Sequence, residues 1–440
     1  MALTTLFIYV VFLCLFVGAL WRPILGILGY LAIYLLYNPN IWWGAGIAQQ
    51  LTRPSFFAMI LLAITCFLHR QRLEWKISRR EVEIYLFLGI AWLTSLVFGL
   101  DMHEGSWMYL EKLTKTFIFL FLFIRVVHSI SYFKILVWAF VLGAVFLGYQ
   151  AHVVGQFSGG RLDNIGGIDF REANQFASFL AFSMTLIGFQ MLSMPLWKKA
   201  FCAVAIAAML NAIIMTQSRA VFIGIALATP FILFRTPKQF RKQIYVSIGL
   251  GVLLFVVLAD VKFLDRMRTI QGNTELMQYD STQAGKEAIS RLDFWKASVR
   301  IFADHPLGIG VKNFEKIVAH YDPRNPGMDA HNTYVLCYSE LGILGILLFL
   351  IVILEALFQL RRVRQMVIDT PHEHEITLFS ISLTTVFLIY FLGTMVTHSI
   401  LYSEMLWILL AMPICLENAT RKLLESPGEA NQKQAVTAQR

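Results

Sequence analysis

The chain is broken into apolar runs, each near the length that crosses a bilayer, and most are separated by short loops. A helix needs roughly 17–25 mainly apolar residues to cross the hydrocarbon core. In lipid only helices and closed barrels satisfy their own backbone. Hydropathy places such runs near 4–20, 23–37, 55–68, 82–99, 112–127, 133–150, 173–193, 199–216, 220–234, 243–260, 332–359, 376–396 and 400–416. The pattern predicts an all-α polytopic membrane protein with about 12–13 transmembrane helices, the two values differing in how the short first runs are counted. Charged residues are 15% of the chain and hydrophobic ones 57%, against roughly 25% charged in a soluble domain. The opening "TTLFIYVVFLCLFVGAL" has neither a basic start nor a small-residue cleavage site. It therefore reads as a retained helix and not a signal peptide.

The net charge of +9 sits in loops: "HRQRLEWKISRR", "WKK", "RTPKQFRK", "RRVRQ" and the "RK" after the last run. Basic loops face the cytoplasm, so the basicity is a topology signal that also suits anionic membrane lipids. It does not indicate a nucleic-acid partner. The alternation divides the chain into a transmembrane bundle (1–260), a large periplasmic loop (261–330), C-terminal transmembrane helices (331–418) and a polar, disordered cytoplasmic tail (419–440). The Gly-rich "AHVVGQFSGGRLDNIGGIDFREAN" and the short turn "TQSR" fall on the periplasmic side. The five cysteines all lie in apolar runs and show neither a disulfide nor a zinc spacing.

Within the large loop, "SRLDFWKASVRIFADHP" reads as an amphipathic helix. Leu292, Trp295, Val299 and Phe302 follow helical spacing and form one stripe, with Arg291 one turn before Trp295. Such a helix is expected to lie flat on the membrane with its tryptophan at headgroup level.

Three residues then share the periplasmic face. Arg219 stands between two apolar runs with almost no polar spacer. An arginine at a span end commonly snorkels to headgroups, but this one lies where basic residues are scarce, which favours a bound anion. Arg291 alone is ordinary decoration of an interfacial helix. Two guanidinium groups together suit a diphosphate, because each binds phosphate oxygens bidentately. His331, in "DAHNTYV", has the titration range of a base that takes a proton from a hydroxyl, with Asp329 and Asn332 placed to orient it. His372 and His374 fall in a basic-side loop, and His398 lies between the last two runs. A P-loop, HExxH, G-x-S-x-G and DxD are all absent, so nucleotide hydrolysis, zincin chemistry and metal-nucleotide glycosyl transfer have no sequence support.

Taken in order, "EANQFASFLAF", "QSRAVFIG", "SRLDFW…HPLGIGVKNF" and "DAHNTYVLCYSELGILGILLFL" resemble the O-antigen ligase and polymerase superfamily of bacterial inner membranes, over about residues 170–350. "WRPILGILGYLAIYLLYNP" is similar to the branch associated with exosortase-linked O-glycosylation. The resemblance implies transfer of a glycan from undecaprenyl diphosphate to a hydroxyl at the periplasmic face, without cofactor or metal. It implies His331 as the essential base and Arg219 and Arg291 as diphosphate ligands, with Asn174, Trp295, Asp329 and Asn332 in support. The resemblance puts lipid A-core first as acceptor; the large loop's charges are nearly balanced and form no cationic platform for its phosphates, which keeps a growing glycan or a protein as alternatives. A lipid-linked glycan transporter would also need the arginines and an apolar groove, but it has no need of a base. A structural membrane subunit would need none of the three.

Overall fold

The structure is a computed structural model that describes residues 3–37, 53–158, 161–163, 165–258, 283–324 and 326–425. Helices α1 (Leu3–Ala19), α2 (Pro23–Leu36) and α3 (Pro54–Leu68) are followed by α4 (Arg79–Leu93), α5 (Glu104–Val126) and α6 (Ile130–Val154). A short antiparallel hairpin, β1 (Gln156–Ser158) with β2 (Arg161–Asp163), leads to α7 (Ala173–Gln190), α8 (Leu196–Thr216), α9 (Arg219–Arg235) and α10 (Arg241–Leu258). The large loop contributes α11 (Gln283–Asp304) and α12 (Phe314–Tyr321). The chain closes with α13 (Thr333–Met366), α14 (Glu373–Ile389) and α15 (Glu404–Leu424).

Seven of these helices are long and apolar enough to cross a membrane, and α1 to α3 are shorter apolar helices. With α5, α9 and α15 packed among them, the chain is a multi-pass membrane protein. The elements follow the predicted runs closely. Apolar side chains on α10 such as Leu250, Val256 and Val257 are mostly exposed, as expected of a helix whose surroundings are lipid. By contrast α7, α14 and α15 fill the centre of the bundle, where Phe179, Phe182, Phe387 and Trp407 are fully buried.

Contacts between loops sort the molecule into two ends. At one end His69 reaches the carbonyl of Leu20, Arg80 pairs with Glu355 and Glu417, and Lys134 pairs with Glu375. Gln239 meets His374 there as well. These are the loops carrying the basic clusters, so the predicted charge asymmetry coincides with one end of the bundle. At the other end the N–H of Gly167 donates to Leu35 O and that of Leu100 to Ile309 O. Ser106 Oγ donates to Val311 O across the same face.

Helix α13 is sharply kinked at Gly342, whose φ of +64° is the left-handed value that suits glycine. The kink exposes carbonyls that the helix would otherwise use. The N–H groups of Ile309 and Gly310 donate to Ser339 O (3.1 Å) and Glu340 O (2.9 Å). The loop "HPLGIGVKNF" is thereby stitched to α13 and carries α11 and α12 with it.

The stripe expected to face the membrane leaves Val299 61% exposed, while the adjoining face with Phe294, Ala297, Ser298 and Ile301 is buried against the protein. The helix is apolar on two adjacent faces, and the one that packs on α13 is offset by one position. Its Ser298 Oγ meets Tyr338 Oη at 2.5 Å. The helix therefore docks on the protein, with its predicted stripe beside that contact. The tail also begins later than residue 419, because α15 runs on to Leu424, held by an Arg421–Glu417 pair one turn apart at 2.6 Å. Residues 426–440 lie outside the described residues.

Candidate active site

The end of the bundle opposite the basic loops holds the candidate residues, and three junctions position them. The first is the turn between α8 and α9. Gln217 takes a left-handed φ of +51°, reversing the chain so that Arg219 becomes the first residue of α9. Ser218 occupies the N-cap position without capping. Its hydroxyl instead donates to Asn174 Oδ1 at 2.9 Å. A helix start with its dipole and first-turn N–H groups, next to an arginine, is a place for an anion. Asn174, at the start of α7, holds that turn in place.

The second junction is the start of α13. His331 is half-buried and has a φ of +47°. Asn332 Oδ1 accepts from the N–H groups of Tyr334 (2.9 Å) and Val335 (3.1 Å), capping the helix. Its amide donates to Val396 O at 3.1 Å, and its own N–H donates to Ser399 Oγ at 3.2 Å. Thr333 Oγ1 donates to His398 O at 2.7 Å and accepts from the N–H of Ile400. Segment 396–400 thus clamps the turn that presents His331.

The side chains of the two neighbours of His331 make other contacts. Asn332 is fully engaged as a cap. The Asp329 carboxylate accepts from the adjacent Ala330 N–H at 2.8 Å, closing a local turn. Neither hydrogen-bonds the imidazole. Instead the rings near His331 are Phe294 of α11, 6.2 Å away centre to centre, and His398 at 6.5 Å.

The third junction is the loop before α7. Asp169 is buried and accepts from Tyr34 Oη (2.8 Å), Ser403 Oγ (3.1 Å), the N–H of Glu404 (2.7 Å) and Lys112 Nζ (2.7 Å). Burial pushes its carboxyl up, but Lys112 and the other donors outweigh that and hold it below the ordinary carboxylate range. This pinned loop carries Glu172, whose Oε2 lies 2.6 Å from Nε2 of the buried His398. Gln175 reaches the same nitrogen at 3.2 Å. Asp169, Gln175, Ser178, Thr394 and Ser403 help to line a cavity of about 10 Å³, room for about one water molecule.

A chain of contacts links these parts: the Arg219 turn to Asn174 through Ser218, the next residue Gln175 to His398, His398 to His331, and His331 to Phe294 of α11. The backbone of α11 includes Arg291, whose side chain lies outside the described residues. Trp295 is half-buried on the same helix, and its enclosed indole N–H meets no hydrogen-bond partner among the described residues. Sequence reasoning noted His398 without assigning it a part and did not single out Glu172. The two are 226 positions apart (398 − 172), and no local pattern announces a contact at that range.

Among known families, residues 204–350 match the model described as O-antigen ligase. The matched stretch begins in α8, ends within α13 and encloses Arg219, Arg291 and His331. Asn174, Glu172 and His398 lie outside it. No curated protein matches the chain.

Proposed function

We propose that this chain, which carries an O-antigen ligase domain over residues 204–350, transfers a glycan from undecaprenyl diphosphate to a hydroxyl of lipid A-core at the periplasmic face of the bacterial inner membrane. Enzymes of this family transfer polyprenyl-diphosphate-linked glycans. The observation that carries the reading is the convergence of the α9 start, α11 and the turn at His331 on the end of the bundle away from the basic loops. In this assignment Arg219, with the first turn of α9, and Arg291 hold the diphosphate.

The chemistry needs little beyond that. A sugar diphosphate is already a good leaving group, so cationic donors that stabilise its departing charge lower the barrier. His331 takes the proton of the acceptor hydroxyl as the oxygen attacks the anomeric carbon. The C–O bond to phosphate breaks in the same inverting step, its electron pair leaving with the diphosphate. General-base help of this kind is worth about 10²–10⁴-fold, and holding two lipid-anchored substrates together contributes further.

The test is a reconstituted assay with purified protein, undecaprenyl-diphosphate-linked glycan and lipid A-core, with a chelator and without nucleotide. The expected result is a slower-migrating glycosylated lipid from the wild type, with kcat falling at least about 10²-fold in His331→Asn and donor binding retained. Arg219→Lys keeps the charge but loses the fork, and about a 10- to 100-fold loss in kcat/KM is expected. Longer donor-linked chains would make the protein a polymerase, and transfer only to an added polypeptide would make it a protein glycosyltransferase. Flipping of the donor with no transfer would replace the enzyme with a transporter.

A further inference from the structure

Among the described residues at this end of the bundle, His398 carries a carboxylate on its ring. It is 5% exposed, and the 2.6 Å contact with Glu172 Oε2 is short and charge-assisted. A carboxylate at that distance holds the proton on Nε2, which leaves the Nδ1 lone pair as the basic position. Among the described residues nothing hydrogen-bonds that Nδ1. Carboxylate, imidazole and a second nitrogen with no hydrogen-bond partner among the described residues are the parts of an oriented general base.

The placement fits the same reaction. The rings of His398 and His331 are 6.5 Å apart and tilted by 33°, a separation that a single hydroxyl or water bridges. Glu172 is 64% exposed, so the pair runs from the buried ring to the surface of the site. The turn holding Arg219 is tied to Asn174, two residues from Glu172 on the same segment.

We propose that Glu172 and His398 form a second acid–base pair of the transfer site, with His398 acting on the acceptor hydroxyl together with His331 and Glu172 positioning His398. This rests on the transfer reading above. The acceptor oxygen lies between the two imidazoles; as it bonds to the anomeric carbon, its proton passes to a ring nitrogen and the electron pair of the broken C–O bond leaves on the diphosphate. Either ring can receive the proton, and Glu172 stabilises it on His398. The other titratable groups near the ring are His331 across the gap, and Asp169 and Tyr390 on the wall of the small cavity behind Gln175.

The experiment is the reconstituted transfer assay, with Glu172→Gln, Glu172→Asp, His398→Asn and His331→Asn, and with donor binding and monodispersity measured for each. His398→Asn is expected to lower kcat about 10²-fold or more with donor binding unchanged. Glu172→Gln keeps the size of the side chain but loses the charged contact and is expected to lower kcat about 10-fold with donor binding unchanged; Glu172→Asp restores much of it. A merely structural pair would lower activity only in proportion to folded protein, with kcat per folded molecule unchanged and no rescue by Glu172→Asp, which would overturn the proposal. Full activity in His398→Asn beside a dead His331→Asn would also overturn it, with the transfer reading intact. A dead His398→Asn beside an active His331→Asn would support the proposal and move the principal base to His398. If the wild type transfers nothing, the transfer reading fails, and the proposal fails with it.

Discussion

Ser218 Oγ donates to Asn174 Oδ1 at 2.9 Å, joining the N-terminal ends of two helices across 44 positions of sequence. The bond spends the N-cap serine of α9 on a neighbouring helix, so position 218 contributes to the geometry of the site in place of its own cap. The turn before Arg219 is therefore only as well placed as the start of α7.

Asn174→Ala breaks this tie without touching an ionisable group. A neutral hydrogen bond is worth about 1 kcal/mol net, so donor KM should rise about fivefold while kcat changes little. Ser218→Ala should match it, and the double variant should be no worse than either single one. Steady-state kinetics with varied donor check this.

At the basic end, Arg125 and Glu81 are 2% and 1% exposed and lie 2.6 Å apart. Glu81 also completes the capping box of α4 with Ser78. Arg125→Met leaves a buried carboxylate alone and should cost about 3–5 kcal/mol. Adding Glu81→Met should recover part of that loss but not the capping contribution. Thermal unfolding in detergent or nanodiscs distinguishes the two variants.

Asp169 gathers four donors and is held below its ordinary value. A carboxyl depressed in the folded state contributes stability that is fully present above its unfolded value and is lost as pH falls through the folded one. The melting temperature should therefore decline below about pH 4, and Asp169→Asn should weaken that decline. The variant should also be less stable at neutral pH by about 2–3 kcal/mol through its lost charged hydrogen bonds. Melting curves across pH for both proteins measure each part.

Gly342 has no room for a side chain. A Cβ there would meet Leu307 C at 2.3 Å and Gly308 N at 2.6 Å. The backbone at φ +64°, ψ −164° is open almost only to glycine and costs another residue about 1–3 kcal/mol, and the clash with rigid backbone adds to it. Gly342→Ala should unstitch "HPLGIGVKNF" from α13 and expose the loop to limited proteolysis. Gly249→Ala, with nothing within 4 Å of its added Cβ, is the matched control and should be silent.

Much of this architecture was legible before any coordinates. Runs of apolar residues fix helices in lipid because no other open structure satisfies the backbone, and basic loops sort the ends. That is why α8 and α14 fall where hydropathy put them. Local pattern marks α11 as amphipathic but does not show that Phe294, beside Trp295, is the fully buried position; packing against the rest of the protein selects it. The same limit applies to the histidines. Asp329 and Asn332 flank His331 in sequence, yet backbone groups claim both, since a helix start and a tight turn must satisfy their N–H groups first. The carboxylate that orients a histidine comes from a different loop, beside the other imidazole.

The left-handed turn at His331 bears on how position 331 can be mutated in a saturation library. Only glycine and a few small polar residues, asparagine among them, hold that backbone cheaply, and histidine is itself among the tolerated types. Alanine, the usual choice for scanning, would lose the imidazole and strain the turn at once, so its score would mix chemistry with folding. β-branched residues would be depleted more strongly, for a reason unrelated to catalysis. Glycine and asparagine at this position should therefore be the best-expressed inactive proteins in such a library, and they are the appropriate dead controls for trapping a donor-bound state.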